Sequence, residues 1–105
     1  MIDPAGTFVI GHMGRIEDVD DRACTLLGYS LADLRALHGS QLIPPPDRAA
    51  VAVSLDRMRR GEVNRRRGRL LRKDGTAIPV EVTAHRGRGE QLTLTVQLVP
   101  GDAQP

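Results

Sequence analysis

LLRKDGTAIPVEV, residues 70–82, sets two apolar, strand-like runs on either side of a polar tip, Lys73-Asp74-Gly75. Asp-Gly between such runs is a strong hairpin signal, because the turn needs a positive φ that Gly75 reaches without steric cost. After the tip, Ile78, Val80, Val82 and Ala84 alternate with Pro79, Glu81, Thr83 and His85. A period of two describes a strand with one buried face. Pro79 has no N–H, so its position is expected to be unpaired or bulged. The alternation returns in EQLTLTVQLV, residues 90–99, where Leu92, Leu94, Val96 and Leu98 face one way and Thr93, Thr95 and Gln97 the other. HRGRGE, residues 85–90, supplies the glycines of the turn between them. The C-terminal half therefore predicts an antiparallel meander over about 63–73, 76–86 and 90–99.

Working outward, GTFVIGHMGRIEDV (6–19) predicts two short strands around a tight turn, with Phe8, Ile10 and Ile16 inward. DDRACTLLG (20–28) follows as a short helix. Asp20 or Asp21 can cap it, Gly28 can end it, and Ala23, Cys24 and Leu27 form its apolar side. SLADLRALHG (30–39) repeats the scheme, with Ser30 and Asp33 approximating a capping box, Leu31, Leu34 and Leu37 on one stripe, and Gly39 as the stop. PPPDRAAVAVSLDRMRRG (44–61) is the longest helical pattern. Asp47 is the expected cap, Val51, Leu55 and Met58 share a face, and Arg57, Arg59 and Arg60 suit the negative end of the helix dipole. The order is β-β-α-α-α-β-β-β, an α+β arrangement in which the helices cover one face of an antiparallel sheet.

A chain of 105 residues with 40% hydrophobic content allows one compact domain. The longest unbroken apolar run is AAVAV, against about 20 residues for a membrane span. MIDPAGTFVI lacks the basic region that opens a signal peptide. The single cysteine, Cys24, excludes an internal disulfide and any multi-cysteine metal cluster. A cytoplasmic setting is expected. The net charge of +2 names no partner. RMRRGEVNRRRGRLLRK (57–73) is strongly cationic, but no aromatic side chains are interleaved for base stacking. Nucleic acid is therefore not the expected partner. The arginines are assigned to a solvated helix end and an outward strand face, compensated by acids such as Asp18, Asp20 and Asp21. No Ser-His-Asp set, carboxylate pair or phosphate-cradling loop can be assembled, since Gly87 and Gly89 lie in a hairpin rather than ahead of a helix. No enzymatic activity is expected.

Several motifs, in order and correctly spaced, resemble the PAS domain family of sensory and interaction modules. GRIEDVDDRACTLLGYS (14–30) is similar to the family's Gly-Arg-Ile, Val-Asn, Ala and Leu-Leu-Gly-Tyr-Ser series, with Asp20 at the Asn position. LADLRALHGSQLIPPPDRAAV (31–51) resembles its Glu-Leu-x-Gly segment and Pro-Asp-Asp-Arg helix start, and RKDGTAIPVEV its Arg-Lys-Asp-Gly-Ser hairpin. The resemblance covers about residues 7–99. It implies a five-stranded antiparallel sheet in the order 2-1-5-4-3, short helices on one face, and any ligand between the two. VPGDAQP (99–105) replaces the Asp-x-Thr motif that often follows the last strand, and a frayed tail is expected there.

The resemblance also frames the cofactor question. The flavin-binding light sensors carry a reactive cysteine where this chain has GSQLIPPPDR, and Cys24 lies earlier, as a core thiol. Haem-binding members use a histidine on or near the long helix, where this chain has none. His12, His38 and His85 are expected on the surface, none placed to reach a cavity. Neither haem nor flavin is expected, which leaves a small apolar ligand or none. Its candidate cavity is Val51, Leu55 and Met58 of the helix with Leu70, Val80, Val82, Leu94 and Val96 of the sheet. Close packing predicts that these residues simply fill the core, and no polar cluster that would orient a ligand can be picked out. By resemblance the module regulates a histidine kinase, a diguanylate cyclase or a transcription factor, through ligand binding or dimerisation. Thr83, Thr93, Thr95 and Gln97 give the outer sheet face the polarity of a modest homodimer interface. A constitutive dimerisation module with a filled core is the alternative, and a haem- or flavin-bearing sensor a third.

Overall fold

The computed structural model describes residues 5–89 and 91–99. Five strands and three α-helices follow in the order β1 (Ala5–Ile10), β2 (Ile16–Val19), α1 (Asp21–Leu27), α2 (Leu31–Ala36), α3 (Arg48–Arg59), β3 (Arg65–Leu71), β4 (Ala77–Arg86) and β5 (Leu92–Leu98). Short 3-10 segments occupy His12–Gly14, Gly39–Leu42 and Pro45–Asp47. All strand pairs are antiparallel, in the order β2-β1-β5-β4-β3. The expected tail beyond Val99 lies outside the described residues.

The β3–β4 hairpin forms as its sequence dictates. Gly75 adopts φ 91°. Its N–H donates to the Arg72 carbonyl at 2.9 Å, and Arg72 N–H donates to Thr76 O at 2.8 Å. This is a three-residue loop with glycine in the left-handed position. Asp74 Oδ1 accepts from the hydroxyl and the N–H of Thr76, at 2.6 and 2.9 Å. Those bonds hold the Asp74 carboxyl below the usual carboxylate range. The tip also docks on the end of α1, where Lys73 N–H donates to Leu27 O at 2.9 Å and Arg72 Nε to Leu26 O at 3.3 Å.

Pro79 is neither bulged nor unpaired, contrary to expectation. It keeps register with Arg69 across β3, and its carbonyl accepts from Val99 N–H at 3.0 Å. A strand residue's N–H and C=O point to the same side. The missing donor therefore faces β5 beyond that strand's end at Leu98, and no β3 rung is lost.

Local capping sets α1 and α2. Asp20 Oδ1 accepts from Ala23 N–H at 2.9 Å and also from Thr7 N–H of β1 at 3.1 Å. Gly28 ends α1 at φ 78°. Ser30 Oγ accepts from Asp33 N–H at 3.1 Å. Two expectations fail. α2 stops at Ala36 rather than Gly39, because Leu37 is extended and His38 starts a new turn with Gln41 Oε1 on its N–H at 2.8 Å. Asp47 does not cap α3: its backbone is already helical and its side chain makes no cap bond. The carboxylate is held instead by Arg69 of β3, at 3.1 and 3.2 Å.

Burial confirms that the helices cover a single face. Phe8, Ile10, Leu70, Ile78, Val80, Ala84, Leu92 and Val96 are buried, while Thr7, Val9, Glu81, Thr83, Thr93 and Thr95 on the opposite face are half-exposed. α1 approaches β1 over Gly6, where an added Cβ would stand 2.6 Å from Ala23 Cα. The core divides into two clusters. The larger joins β1, β2 and β3–β5 to α1 and α2, and the smaller groups Met58, Ala84 and Leu92 with Leu55, Val63 and Leu94 against it.

Candidate functional site

Between the two clusters α3 stands off the sheet. Of its inward side chains only Met58 is buried, and Val51 and Leu55 are half-exposed. Val82 and Leu94 point to the same face from the central strands β4 and β5, yet they too are only half-buried. A central, inward-facing strand residue normally touches neighbours on all sides. Here the neighbours are missing, and a cavity of about 260 Å³ takes their place.

All eight residues named from the sequence, Val51, Leu55, Met58, Leu70, Val80, Val82, Leu94 and Val96, line this one space. The expectation that they simply fill the core is corrected: Met58, Leu70, Val80 and Val96 are buried, and Leu55 packs with Met58 against the sheet, but a space remains between the rest of α3 and the sheet. Gly68 contributes to the gap. It lies on the inner face of β3 between Arg66 and Leu70, opposite Val80, and a Cβ built there meets only Arg66 Nε, at 3.9 Å.

The rim corrects a second expectation, that nothing charged or polar orients a ligand. Arg66 is half-buried on the inner face, in register with Val82. Its Nη1 donates to Ser54 Oγ at 2.6 Å and to Ala50 O at 3.4 Å, bridging α3 and β3. The basic run is therefore not wholly outward. By strand parity Arg65, Arg67 and Arg69 start from the outer face, although Arg69 turns back to Asp47 at the cavity edge, whereas Arg66, Gly68 and Leu70 share the inward parity. That parity was available in RRRGRL and was masked by the charge of the run.

His38 is exposed, as expected, but it also contributes to the cavity lining, which was not expected. Its Nδ1 accepts from Ser40 N–H at 3.1 Å and lies 2.8 Å from Ser40 Oγ, and its Nε2 bonds the Met13 carbonyl. Met13 takes φ 58°, left-handed for a non-glycine residue. No signal in the sequence brings positions 13 and 38 together.

The fold and this site can be set beside known proteins. A family model described as the PAS fold matches residues 4–98. The chain belongs to the PAS family. Comparison with curated proteins gives no match. Among solved structures, the chain is similar to the PAS domain of a Desulfitobacterium hafniense protein, at 20% identity and TM-score 0.82, over 94% of each chain. It is similar to a domain of a sensory box sensor histidine kinase/response regulator from Geobacter sulfurreducens, at 26% identity and TM-score 0.78, over 89% of this chain and 82% of that one. It is also similar to the N-terminal domain of a diguanylate cyclase with PAS/PAC sensor from Marinobacter aquaeolei, at 16% identity and TM-score 0.74, over 95% and 99%. The first and third of these likenesses speak for the fold alone.

The PAS domain neutralises much of its basic run with different acids from those expected. Asp47 takes Arg69, Asp56 and Glu62 take Arg60, Glu62 also takes Arg57, and Glu81 lies between Arg65 and Arg67. Asp18 pairs with Arg35, and Asp20 serves as a cap. Exposed pairs of this kind contribute about 0–1 kcal/mol each. The Cys24 thiol is half-buried, and desolvation, with Asp21 and Asp20 nearby, raises its pKa. It is thus a poor nucleophile. No group of three or more His, Cys, Asp or Glu able to hold a metal occurs among the described residues, nor does a helix long and apolar enough to cross a membrane.

Proposed function

We propose that this PAS sensory domain reports occupancy of the α3 cavity to an effector domain or partner protein. A small molecule with an apolar body sits between Val51, Leu55 and Met58 and the inner face formed by Leu70, Val80, Val82, Leu94 and Val96. Its arrival changes how α3 packs on the sheet. A ligand shifts such an equilibrium only by its differential affinity for the two packings, here in favour of the one that leaves this space open. The observation that carries the proposal is the half-exposure of Val82 and Leu94 on central strands. The change passes through a modest homodimer contact on the uncovered sheet face. The effector is of the class served in the similar proteins, a histidine kinase or a diguanylate cyclase, or else a transcription factor. The domain itself is non-catalytic and works in the cytoplasm, with neither a membrane nor nucleic acid as its partner.

The cavity argues against the alternative of a dimerisation module with a filled core. A haem or flavin fits less well than a small uncoloured ligand. The one histidine among the described lining residues has both ring nitrogens engaged, and Phe8 is the one aromatic ring there to stack on. Freshly purified protein, weighed under native and denaturing conditions, tests the proposal. A reproducible extra mass below about one kilodalton is expected. A native mass equal to the chain or its dimer points to the filled module, and a Soret or flavin absorption band to a cofactor sensor.

A further inference from the structure

The cavity is apolar in depth and cationic at its rim. Four arginines contribute to its lining, Arg48, Arg59, Arg66 and Arg69, and no carboxylate side chain does so among the described residues. Arg69 is neutralised by Asp47 at 3.1 Å. Arg66 differs. It has no acid within ion-pair distance, and its three hydrogen bonds, from Nε to Arg67 O and from Nη1 to Ala50 O and Ser54 Oγ, leave Nη2 without a partner. Arg48 likewise spends its Nε on the Ser40 and Ile43 carbonyls, at 3.1 Å each, and has no acid. A half-buried guanidinium fixed by a serine and facing a cavity, with no counter-charge, is a preorganised anion receptor, since its planar fork matches a carboxylate.

We infer that the ligand is an amphiphilic carboxylate, its chain inward against Val82, Leu94 and Met58 and its head on Arg66. This rests on the reading of the cavity as a ligand site. At ~30 Å³ per water-sized group, the about 260 Å³ of space holds roughly nine such groups. That suits a chain of about eight carbons better than a fused-ring cofactor. The Arg66–Ser54 bridge also ties the head to α3, so the carboxylate would draw β3 and α3 onto a shared partner.

Calorimetric titration of the intact domain with sodium octanoate, 1-octanol and octylammonium chloride is the test. A charge-assisted bond made in partial burial is worth about tenfold in affinity or more. Octanoate should bind at least tenfold tighter than octanol, and octylammonium weakest. In Arg66→Gln the preference for octanoate over octanol should fall to about twofold or less. Ser54→Ala, which leaves the charge but frees the guanidinium, should lose part of the preference and provides a second variant if the first fails to fold. Equal binding of octanoate and octanol by the unaltered domain overturns the carboxylate inference and leaves the cavity reading standing. Binding of none of the three overturns both. Retention of the octanoate preference in Arg66→Gln overturns the assignment to Arg66.

Discussion

At the scale of single residues, the fold depends on a few positions where one atom more or less decides the outcome. Gly6 is the sharpest. A methyl group there would lie 2.6 Å from Ala23 Cα and 2.8 Å from Ala23 N, so α1 would have to move rather than a side chain. Gly6→Ala should cost about 1–3 kcal/mol or more, the range of overpacked cores; a denaturant midpoint equal to that of the unaltered domain would refute this. Asp20 joins two elements, because its carboxylate accepts from both Ala23 and Thr7. Asp20→Ala should therefore lose about 1–2 kcal/mol, the upper part of the N-cap range, as read by chemical unfolding. A loss of only a few tenths would mean that the Thr7 bond contributes nothing.

At the scale of elements, what could be read from the sequence was whatever its own neighbours dictate. The Asp74-Gly75 hairpin, the alternation of β4 and β5, and the caps at Asp20 and Ser30 are local, and each stands where its pattern put it. Strand starts fall one to two residues later than the pattern, at Arg65, Ala77 and Leu92. The failures have distant partners only in part. Asp47 looked like a cap because its partner Arg69 lies far along the chain, and Gly39 looked like a stop because the turn built on His38 is made with Gln41, Ser40 and distant Met13. The hairpin tip shows local and distant bonds acting together. Lys73 hydrogen-bonds Asp33 at 3.2 Å and holds its carboxyl below the usual range, as Thr76 does for Asp74. A carboxyl whose folded pKa is depressed stabilises above its unfolded value of about 3.9, and the gain is lost as pH falls through the folded pKa. The melting temperature of the unaltered domain should therefore exceed that of Asp74→Asn most near neutrality, and the difference should shrink as pH drops below about 4. A difference that stayed constant or grew on acidification would contradict the role given to these bonds.

At the scale of the whole molecule, the sequence named the eight apolar residues of the cavity but not the cavity itself. Periodicity tells which way Val82 and Leu94 point; it carries no information on how far away α3 stops. That distance follows from the three-proline entry to α3, the Asp47–Arg69 pair and the bare backbone at Gly68, which act together only in the folded chain. Gly68 is also where the central claim is most open to test. In a close-packed interior a leucine there would cost about 1–3 kcal/mol, whereas in an open cavity it would bury apolar surface worth about 1.5–3 kcal/mol. Alanine at the same position supplies the backbone part of any change, since glycine in a strand is itself unfavourable by roughly 0.5–1 kcal/mol. Thermal unfolding of Gly68→Leu against Gly68→Ala should find the leucine variant melting higher. A leucine variant that melts below the alanine variant would mean that the space under α3 is already filled.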